Sequence, residues 1–192
     1  MSTGPVDPEA ILDRFYPPGD PAREILREHG FRVTDLALEI ADRAGIPDLD
    51  RAFIAEAAPL HDIGVRETFA PEIGCRGRHP YIRHGIIGRE MLEAASLDRH
   101  GRVCECHVGA GLTVAEIVRQ GLPLPRREML PISVEEMIIA YADKFHSKSG
   151  GGRYRKIPEV RARLLAHGPD QAARFDAWVD RFGPPQFSGL MP

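Results

Sequence analysis

One face of the segment 21–45 repeats apolar side chains at three- and four-residue spacing, which is the period of an α-helix. Pro21 at the first turn and Gly45 just past the last one are residues that typically bound a helix. A helix of this length has to bury its apolar face against other elements, so the segment predicts a helical core. The members of the face are Ile25, His29, Val33, Leu36 and Ile40.

Similar patterns predict helices along the rest of the chain. A second helix is expected over residues 48–64, and Pro59 inside it predicts a bend before His61 because proline removes a backbone donor. Ser133 and Glu136 form a capping box that begins a helix reaching Asp143. The fold class is predicted as all-α, without strands or internal repeats. Further helices are predicted at 8–15, 84–95, 98–107, 158–167 and 169–182.

Breaker-rich stretches suggest three parts of the chain. Residues 1–20 are predicted as a short helix and linker, and 21–150 as the main helical domain. A basic, glycine-rich link, GGGRYRK, then leads to a C-terminal extension of two helices at 151–192. Residues 66–80 and 121–132 lack periodicity and are predicted as long loops, which are often functional.

Composition and charge narrow the choice of partners and compartment. The chain has 43% hydrophobic residues, 28% charged residues and a net charge of −3, so neither a nucleic-acid polymer nor a membrane surface is expected as a partner. No apolar run is long enough for a membrane span, and the N-terminus does not resemble a signal peptide. Three cysteines without a CxxC spacing favour the cytoplasm. The oligomeric state is not predicted.

Histidines and aspartates on core faces or at helix ends form a candidate metal site. His61 and Asp62 stand together after an apolar segment, where burial is costly unless a hydrogen bond or a metal compensates. Imidazole and carboxylate donors suit Zn, Fe, Mn or Co, and an aspartate next to a histidine can bridge two ions, so one or two divalent metals are expected. The candidate ligands are His29, His61, Asp62, His84, His107 and Asp143.

The order of these six residues resembles the HD-domain superfamily of metal-dependent phosphohydrolases. The motif LHDIG is similar to the HDIG subset, as are HVGAGLT and YADKF, and the resemblance extends over about residues 21–150. It implies an HD-domain helical bundle, here with two extra C-terminal helices. The minimal metal site of the family matches His29, His61, Asp62 and Asp143, and the histidines matching His84 and His107 resemble two-metal versions.

The resemblance implies hydrolysis of a small phosphate ester, a nucleotide or related metabolite, by attack of metal-activated water. Asp62, His84 and His107 are the expected catalytic residues. Many family members carry a lysine directly after HDIG that can reach a substrate phosphate, but Val65 stands there in this chain. The basic residues expected to take over this role are Arg66, Arg78, Arg83, Lys144 and Lys148, and the acids that could act as general bases are Glu67, Glu72 and Glu128.

Other functions fit the same ligand pattern. Some members of the superfamily with these six ligands resemble mixed-valent diiron oxygenases, and a non-enzymatic nucleotide or metal sensor with a mobile 66–80 loop is a third reading. Cys104 and His107, three residues apart on one helix, could instead belong to a structural zinc site. The remaining histidines are interpreted as surface or capping residues; they are His79, His100, His146 and His167.

Overall fold

The computed structural model describes residues 4–148 and 153–187. Helices dominate these ranges, and the strands in them are two residues long each, so the all-α prediction is confirmed. None of the described helices is long and apolar enough to cross a membrane. The α-helices are α1 (Pro8–Phe15), α2 (Pro21–Ala44), α3 (Arg51–Ala57), α4 (His84–Glu93), α5 (Asp98–Cys106), α6 (Val114–Arg119), α7 (Val134–Asp143), α8 (Ile157–Leu165) and α9 (Pro169–Phe182).

Helix α2 begins and ends at the residues that its sequence signals predict. The side chain of Asp20 accepts a hydrogen bond from the backbone N–H of Ala22 at the start of the helix. Gly45 ends it with φ +59°, a left-handed conformation that favours glycine. Leu36 and Ile40 are fully buried, as expected for the core face. The same face therefore carries His29 into the interior of the protein.

The second predicted helix is interrupted around Pro59. Helix α3 ends at Ala57, and a 3₁₀ turn over Ala58–Leu60 leads directly to His61 and Asp62. A longer 3₁₀ segment, Ile63–Glu67, follows the pair. The chain therefore carries His61 and Asp62 in a tight turn rather than on a bent α-helix.

Two glycines let neighbouring helices contact this turn through their backbones. A Cβ atom added to Gly30 of α2 would lie 2.8 Å from the carbonyl oxygen of Pro59. A Cβ atom on Gly64 would lie 2.2 Å from the carbonyl oxygen of His84 and 2.3 Å from the backbone nitrogen of Gly88, both in α4. Because no side chain fits in either gap, glycine is what allows α2 and α4 to flank the turn closely.

The main hydrophobic core joins α2, α3 and α7 to the C-terminal helices. The ring of Tyr141 in α7 lies 5.6 Å from the ring of Phe175 and 6.4 Å from that of Trp178, both in α9. The C-terminal extension therefore shares its core with the helix that ends in Asp143. Large side chains of this core include Leu36, Ile40, Ile54, Tyr141, Phe145, Phe175 and Trp178.

Some short elements were not predicted from the sequence. The segment 66–80 contains a small antiparallel ribbon in which β1 (Phe69–Ala70) pairs with β2 (Cys75–Arg76). Helix α6 has six residues, too few for a clear periodicity, although Thr113 and Glu116 give it a capping box. Of the predicted basic link, residues 150–152 lie outside the described ranges.

Candidate metal centre

The turn after α3 places His61 and Asp62 in the interior of the protein. The exposed fractions of the two residues are 0% and 3%. Both oxygens of the Asp62 carboxylate are buried and have no hydrogen-bond partner among the described residues. A buried carboxylate in this state is strongly destabilising unless cations surround it.

Three side chains from different parts of the chain meet one oxygen side of the Asp62 carboxylate and form the first group of donors with it. His29 comes from α2, His61 from the same turn as Asp62, and Asp143 from the end of α7. The Nε2 atom of His29 lies 3.1 Å from Nε2 of His61, 3.1 Å from Oδ1 of Asp143 and 3.2 Å from Oδ2 of Asp62. Each residue offers one donor atom, and all four atoms lie within 4.8 Å of one another.

A second group of donors meets on the other side of the same carboxylate. His84 begins α4 and His107 directly follows α5, and their Nε2 atoms are 3.1 Å apart. Oδ1 of Asp62 lies 3.4 Å from Nε2 of His84 and 3.5 Å from Nε2 of His107. Asp62 thus presents one oxygen to each group.

Hydrogen bonds on the outer side of the rings fix the orientation of three imidazoles. Nδ1–H of His61 donates to the carbonyl of Ala58 at 2.6 Å, and that of His84 to the carbonyl of Tyr81 at 2.7 Å. His107 donates in the same way to the carbonyl of Cys104 at 2.7 Å. With Nδ1 donating outwards, each ring turns Nε2 towards the cluster, the orientation found in metal-binding histidines.

The electrostatics of the cluster also suit a cation. Burial lowers the pKa of His84 to about 3 and also lowers the pKa of His107, so both rings stay neutral. Burial opposes ionisation of Asp62, but the charges of Lys148 and His61 hold its pKa well below the usual range. Burial likewise opposes a charge on His61, and the Asp62 carboxylate nevertheless raises its pKa to about 10.

Neutral imidazoles and anionic carboxylates are the form in which these groups bind metals, and metal binding would displace the proton of His61. The carboxylate of Asp62 lies between two sets of nitrogen donors with the Lys148 ammonium as its ion-pair partner, and bound cations would add positive charge beside both of its oxygens. The buried His/Asp cluster therefore fits a divalent metal centre.

A basic cleft of about 320 Å³ opens beside the first group of donors. The ammonium of Lys148 forms an ion pair with Asp62 and donates a hydrogen bond to the hydroxyl of Tyr81 at 3.0 Å. The ammonium of Lys144 lies 2.7 Å from Oδ2 of Asp143 and donates to the carbonyl of His107 at 2.8 Å. The cleft lining includes His29, Glu72, Tyr81, Asp143, Lys144, His146, Lys148, Arg155 and Arg163.

The residues predicted to contact substrate have different positions. Lys144 and Lys148 line the cleft, whereas the guanidinium of Arg66 is paired with Asp20 at 2.7 Å and that of Arg83 donates to the carbonyl of Pro123. Arg78 is exposed on the segment after the ribbon.

The acids proposed as general bases are also dispersed. Glu72 lines the cleft, Glu67 is exposed, and Glu128 accepts a hydrogen bond from the backbone of Val114. Cys104 donates its thiol proton to the carbonyl of Leu60, so its side chain is engaged away from the His107 nitrogen that faces the cluster.

Several residues at the centre were not anticipated from the sequence. His146, interpreted as a surface or capping residue, is buried and has its Nδ1 atom 2.8 Å from Nδ1 of His29. Tyr81 directly follows the predicted 66–80 loop, and Arg155 lies in the predicted glycine-rich link. These residues are far from their partners along the chain, and the only sequence signal was the concentration of basic residues after Asp143.

Fold and site together define an α-helical protein with a buried histidine–aspartate cluster that fits a divalent metal centre. The chain belongs to the HD domain family, whose model matches residues 26–148. No solved structure matches the chain significantly.

Three relatives are similar to this chain. It is 30% identical over 177 residues to the tRNA (cytidine(56)-2'-O)-methyltransferase of Thermoplasma volcanium, covering 92% of this chain and 46% of that protein. A protein of the same name from Picrophilus torridus is 35% identical over 127 residues, which are 66% of this chain and 33% of the relative. An uncharacterized protein of Methanocaldococcus jannaschii is 34% identical over 120 residues, 60% of this chain and 63% of the relative. The chain thus spans less than half of the two methyltransferases.

These relatives correct three predictions made from the sequence. Two of them are named as transferases acting on tRNA, so the predicted hydrolysis of a phosphate ester, the small-molecule substrate and the absence of a nucleic-acid partner are wrong. None of the three is named as an oxygenase or a sensor. The prediction about nucleic acid relied on the net charge, which averages over the surface and does not register a local group of cations.

Proposed function

We propose that this HD domain binds two divalent metal ions and uses them, with the adjoining basic cleft, to hold a phosphate of a tRNA during modification of that RNA. The observation that carries the proposal is the position of Asp62. Its carboxylate contacts both groups of imidazole donors, and its ion-pair partner Lys148 lines the cleft.

Each ion has its own set of protein donors in this proposal. One is held by His29, His61, Asp62 and Asp143, and the other by Asp62, His84 and His107. Nitrogen and carboxylate donors in this combination suit Zn, Fe, Mn or Co. A bound divalent ion supplies a Lewis acid that attracts a phosphate oxygen.

The cleft supplies the positive charge that the HDIG motif itself lacks. Val65 is fully buried and has no charge to offer. Lys148 reaches Asp62 from the turn after α7, and the exposed Arg163 lines the same cleft. We propose that Lys148 takes the place of the lysine missing at position 65, because an ammonium at this point can contact a metal-bound phosphate.

The names of the relatives support the proposal that the bound phosphate belongs to an RNA. Two proteins similar to this chain are named for a reaction on tRNA, and one of the alignments covers 92% of the chain. Cations concentrated in one cleft can bind a phosphate backbone although the whole chain carries a net charge of −3. Work on tRNA and three unpaired, buried cysteines are both compatible with the cytoplasm.

The proposal is tested by binding of a labelled tRNA to the full chain at several salt concentrations. We expect binding that weakens on chelation of the metal and on substitution of Lys148→Gln together with Arg163→Gln. Each lost phosphate contact reduces the magnitude of the slope of log K against log salt by about one. The slope of the double variant should therefore be smaller than that of the wild type by about two.

The matched control for this experiment is Arg119→Gln, which removes an exposed charge of α6 outside the cleft and should leave tRNA binding unchanged. Equal affinity of the wild-type chain and the cleft variant, or no binding of tRNA at low salt with metal present, would overturn the proposal.

The names of the relatives also favour a second candidate, transfer of a methyl group to tRNA by this chain itself. The same tRNA, incubated with the protein and a radiolabelled methyl donor, distinguishes the two. Label in the RNA would establish the transfer, whereas bound but unlabelled RNA would leave the chain as the metal- and phosphate-binding part of a modification system.

A further inference from the structure

The ring of His146 lies against the outer side of His29. Their Nδ1 atoms are 2.8 Å apart, and the ring centroids are 5.1 Å apart with planes inclined at 28°. Both residues are buried, with exposed fractions of 2% for His29 and 5% for His146. The other three imidazoles of the cluster donate to backbone carbonyls, so His29 differs in having a side chain as its outer partner.

The short distance between the two nitrogens allows a single proton between them. Nε2 of His29 faces Asp62 and Asp143 and needs its lone pair to bind a metal. With Nε2 of His29 reserved for a metal, the ring proton of His29 resides on Nδ1 and is donated to Nδ1 of His146. Nδ1 of His146 is then the acceptor, and the ring proton of His146 lies on Nε2.

This arrangement is not explained by the stability of the fold. Nε2 of His146 is buried and has no hydrogen-bond partner among the described residues, which costs free energy that an apolar side chain would avoid. A carbonyl oxygen can only accept a hydrogen bond, whereas Nδ1 of an imidazole accepts only in the tautomer that carries its proton on Nε2. The acceptor facing His29 is the feature that a histidine supplies here.

We propose that His146 is a positioning residue of the metal centre, which fixes the tautomer and the ring orientation of His29 so that Nε2 of His29 is available to a metal. This inference rests on the metal-binding part of the proposed function and is independent of tRNA.

Two substitutions of His146 distinguish the contribution of its hydrogen-bond acceptor from that of the volume of its ring. His146→Leu removes the acceptor, and His146→Asn retains an oxygen close to the position of Nδ1. Zinc affinity is measured for each variant by competition with a chromophoric chelator, in the absence of RNA. We expect the zinc held by His29 to bind 10- to 100-fold more weakly in His146→Leu, the usual effect of losing an outer partner, and to be largely restored in His146→Asn.

The control is His100→Leu, which removes a buried histidine that lies outside both donor groups. It should leave zinc affinity unchanged. Wild-type affinity in His146→Leu, or a wild-type chain that takes up no zinc, would overturn the inference. Absence of tRNA binding would not affect it.

Imidazole nitrogen NMR of the zinc-loaded wild-type protein gives a second readout that needs no variant. We expect a proton on Nδ1 of His29, a proton on Nε2 of His146, and a scalar coupling between the two Nδ1 atoms across the hydrogen bond. A proton on Nε2 of His29 would contradict the assignment, even if His146→Leu failed to fold.

Discussion

At the scale of single residues, Asp62 connects the two halves of the centre. Its Oδ2 atom lies 3.2 Å from Nε2 of His29, and its Oδ1 atom 3.4 Å from Nε2 of His84. A carboxylate in this position would contribute to both of the proposed ions, whereas each histidine would contribute to one. Substitution of the aspartate should therefore reduce the number of bound metals more than substitution of a single histidine.

Asp62→Asn should abolish tight binding of both metals, because it removes the shared negative charge while preserving the shape of the side chain. His107→Gln should remove one metal and leave the other. Elemental analysis of each purified chain gives the number of metals bound, with about two expected for the wild type. One metal retained at full affinity in Asp62→Asn would show that the carboxylate is not shared.

The residues of the centre differ in how far the sequence could anticipate them. His29, His61, Asp62, His84, His107 and Asp143 stood out because their order matches a family pattern, and the structure brings all six together. His146 and His29 are 117 positions apart, and their contact depends on how α2 packs against the turn after α7. Spacing along the chain carries no information about such a pair.

At the scale of elements, the approach of α4 to the turn that carries His61 and Asp62 depends on Gly64. A Cβ atom there would lie 2.2 Å from the carbonyl oxygen of His84, so α4 would have to move away. His84, which begins that helix, would move with it. This close contact accounts for the glycine that follows the His–Asp–Ile sequence.

Gly64→Ala should lower the free energy of unfolding by about 3 kcal/mol or more, at the upper end of the cost of overpacking. It should also lower the affinity for the metal that His84 is proposed to bind. Urea unfolding and metal titration measure the two effects. Gly4→Ala serves as the control, since a Cβ atom there meets nothing within 4 Å. A stable Gly64→Ala protein with normal metal content would contradict the importance of this contact.

The elements that could be predicted from the sequence are those with strong local signals, such as capping residues and a periodic apolar face. Helices α2 and α7 have clear capping residues and buried faces, and their bounds agree with prediction. The ribbon of β1 and β2 contains only two residues in each strand, too few to show alternation, and is held by its backbone hydrogen bonds and by burial of Ala70 and Cys75. Tertiary contacts therefore determine it more than its own sequence.

At the scale of the whole molecule, the C-terminal helices are part of the main core. Phe175 of α9 is fully buried and contacts the ring of Tyr141 in α7, which ends in Asp143. The glycine-rich link predicts that residues 151–192 form a separate extension. The packing indicates that this extension supports the helix that carries a metal donor.

Phe175→Ala should lower the free energy of unfolding by about 3–5 kcal/mol, the usual cost of emptying a fully buried aromatic site. Leu165→Ala removes an exposed apolar side chain of α8 and should change it by less than about 0.5 kcal/mol. Thermal or urea unfolding followed by circular dichroism compares the two. Equal stabilities would mean that α9 is an independent appendage.

The donors of the first group come from positions as far apart as His29 and Asp143, which are separated by 114 residues. These donors are not brought together in the unfolded chain, because that would require closure of a very long loop. Binding of the proposed metal would therefore follow folding, because the unfolded chain offers no assembled donor set. A bound ion would stabilise the native state by mass action, so the stability of the protein would depend on metal concentration.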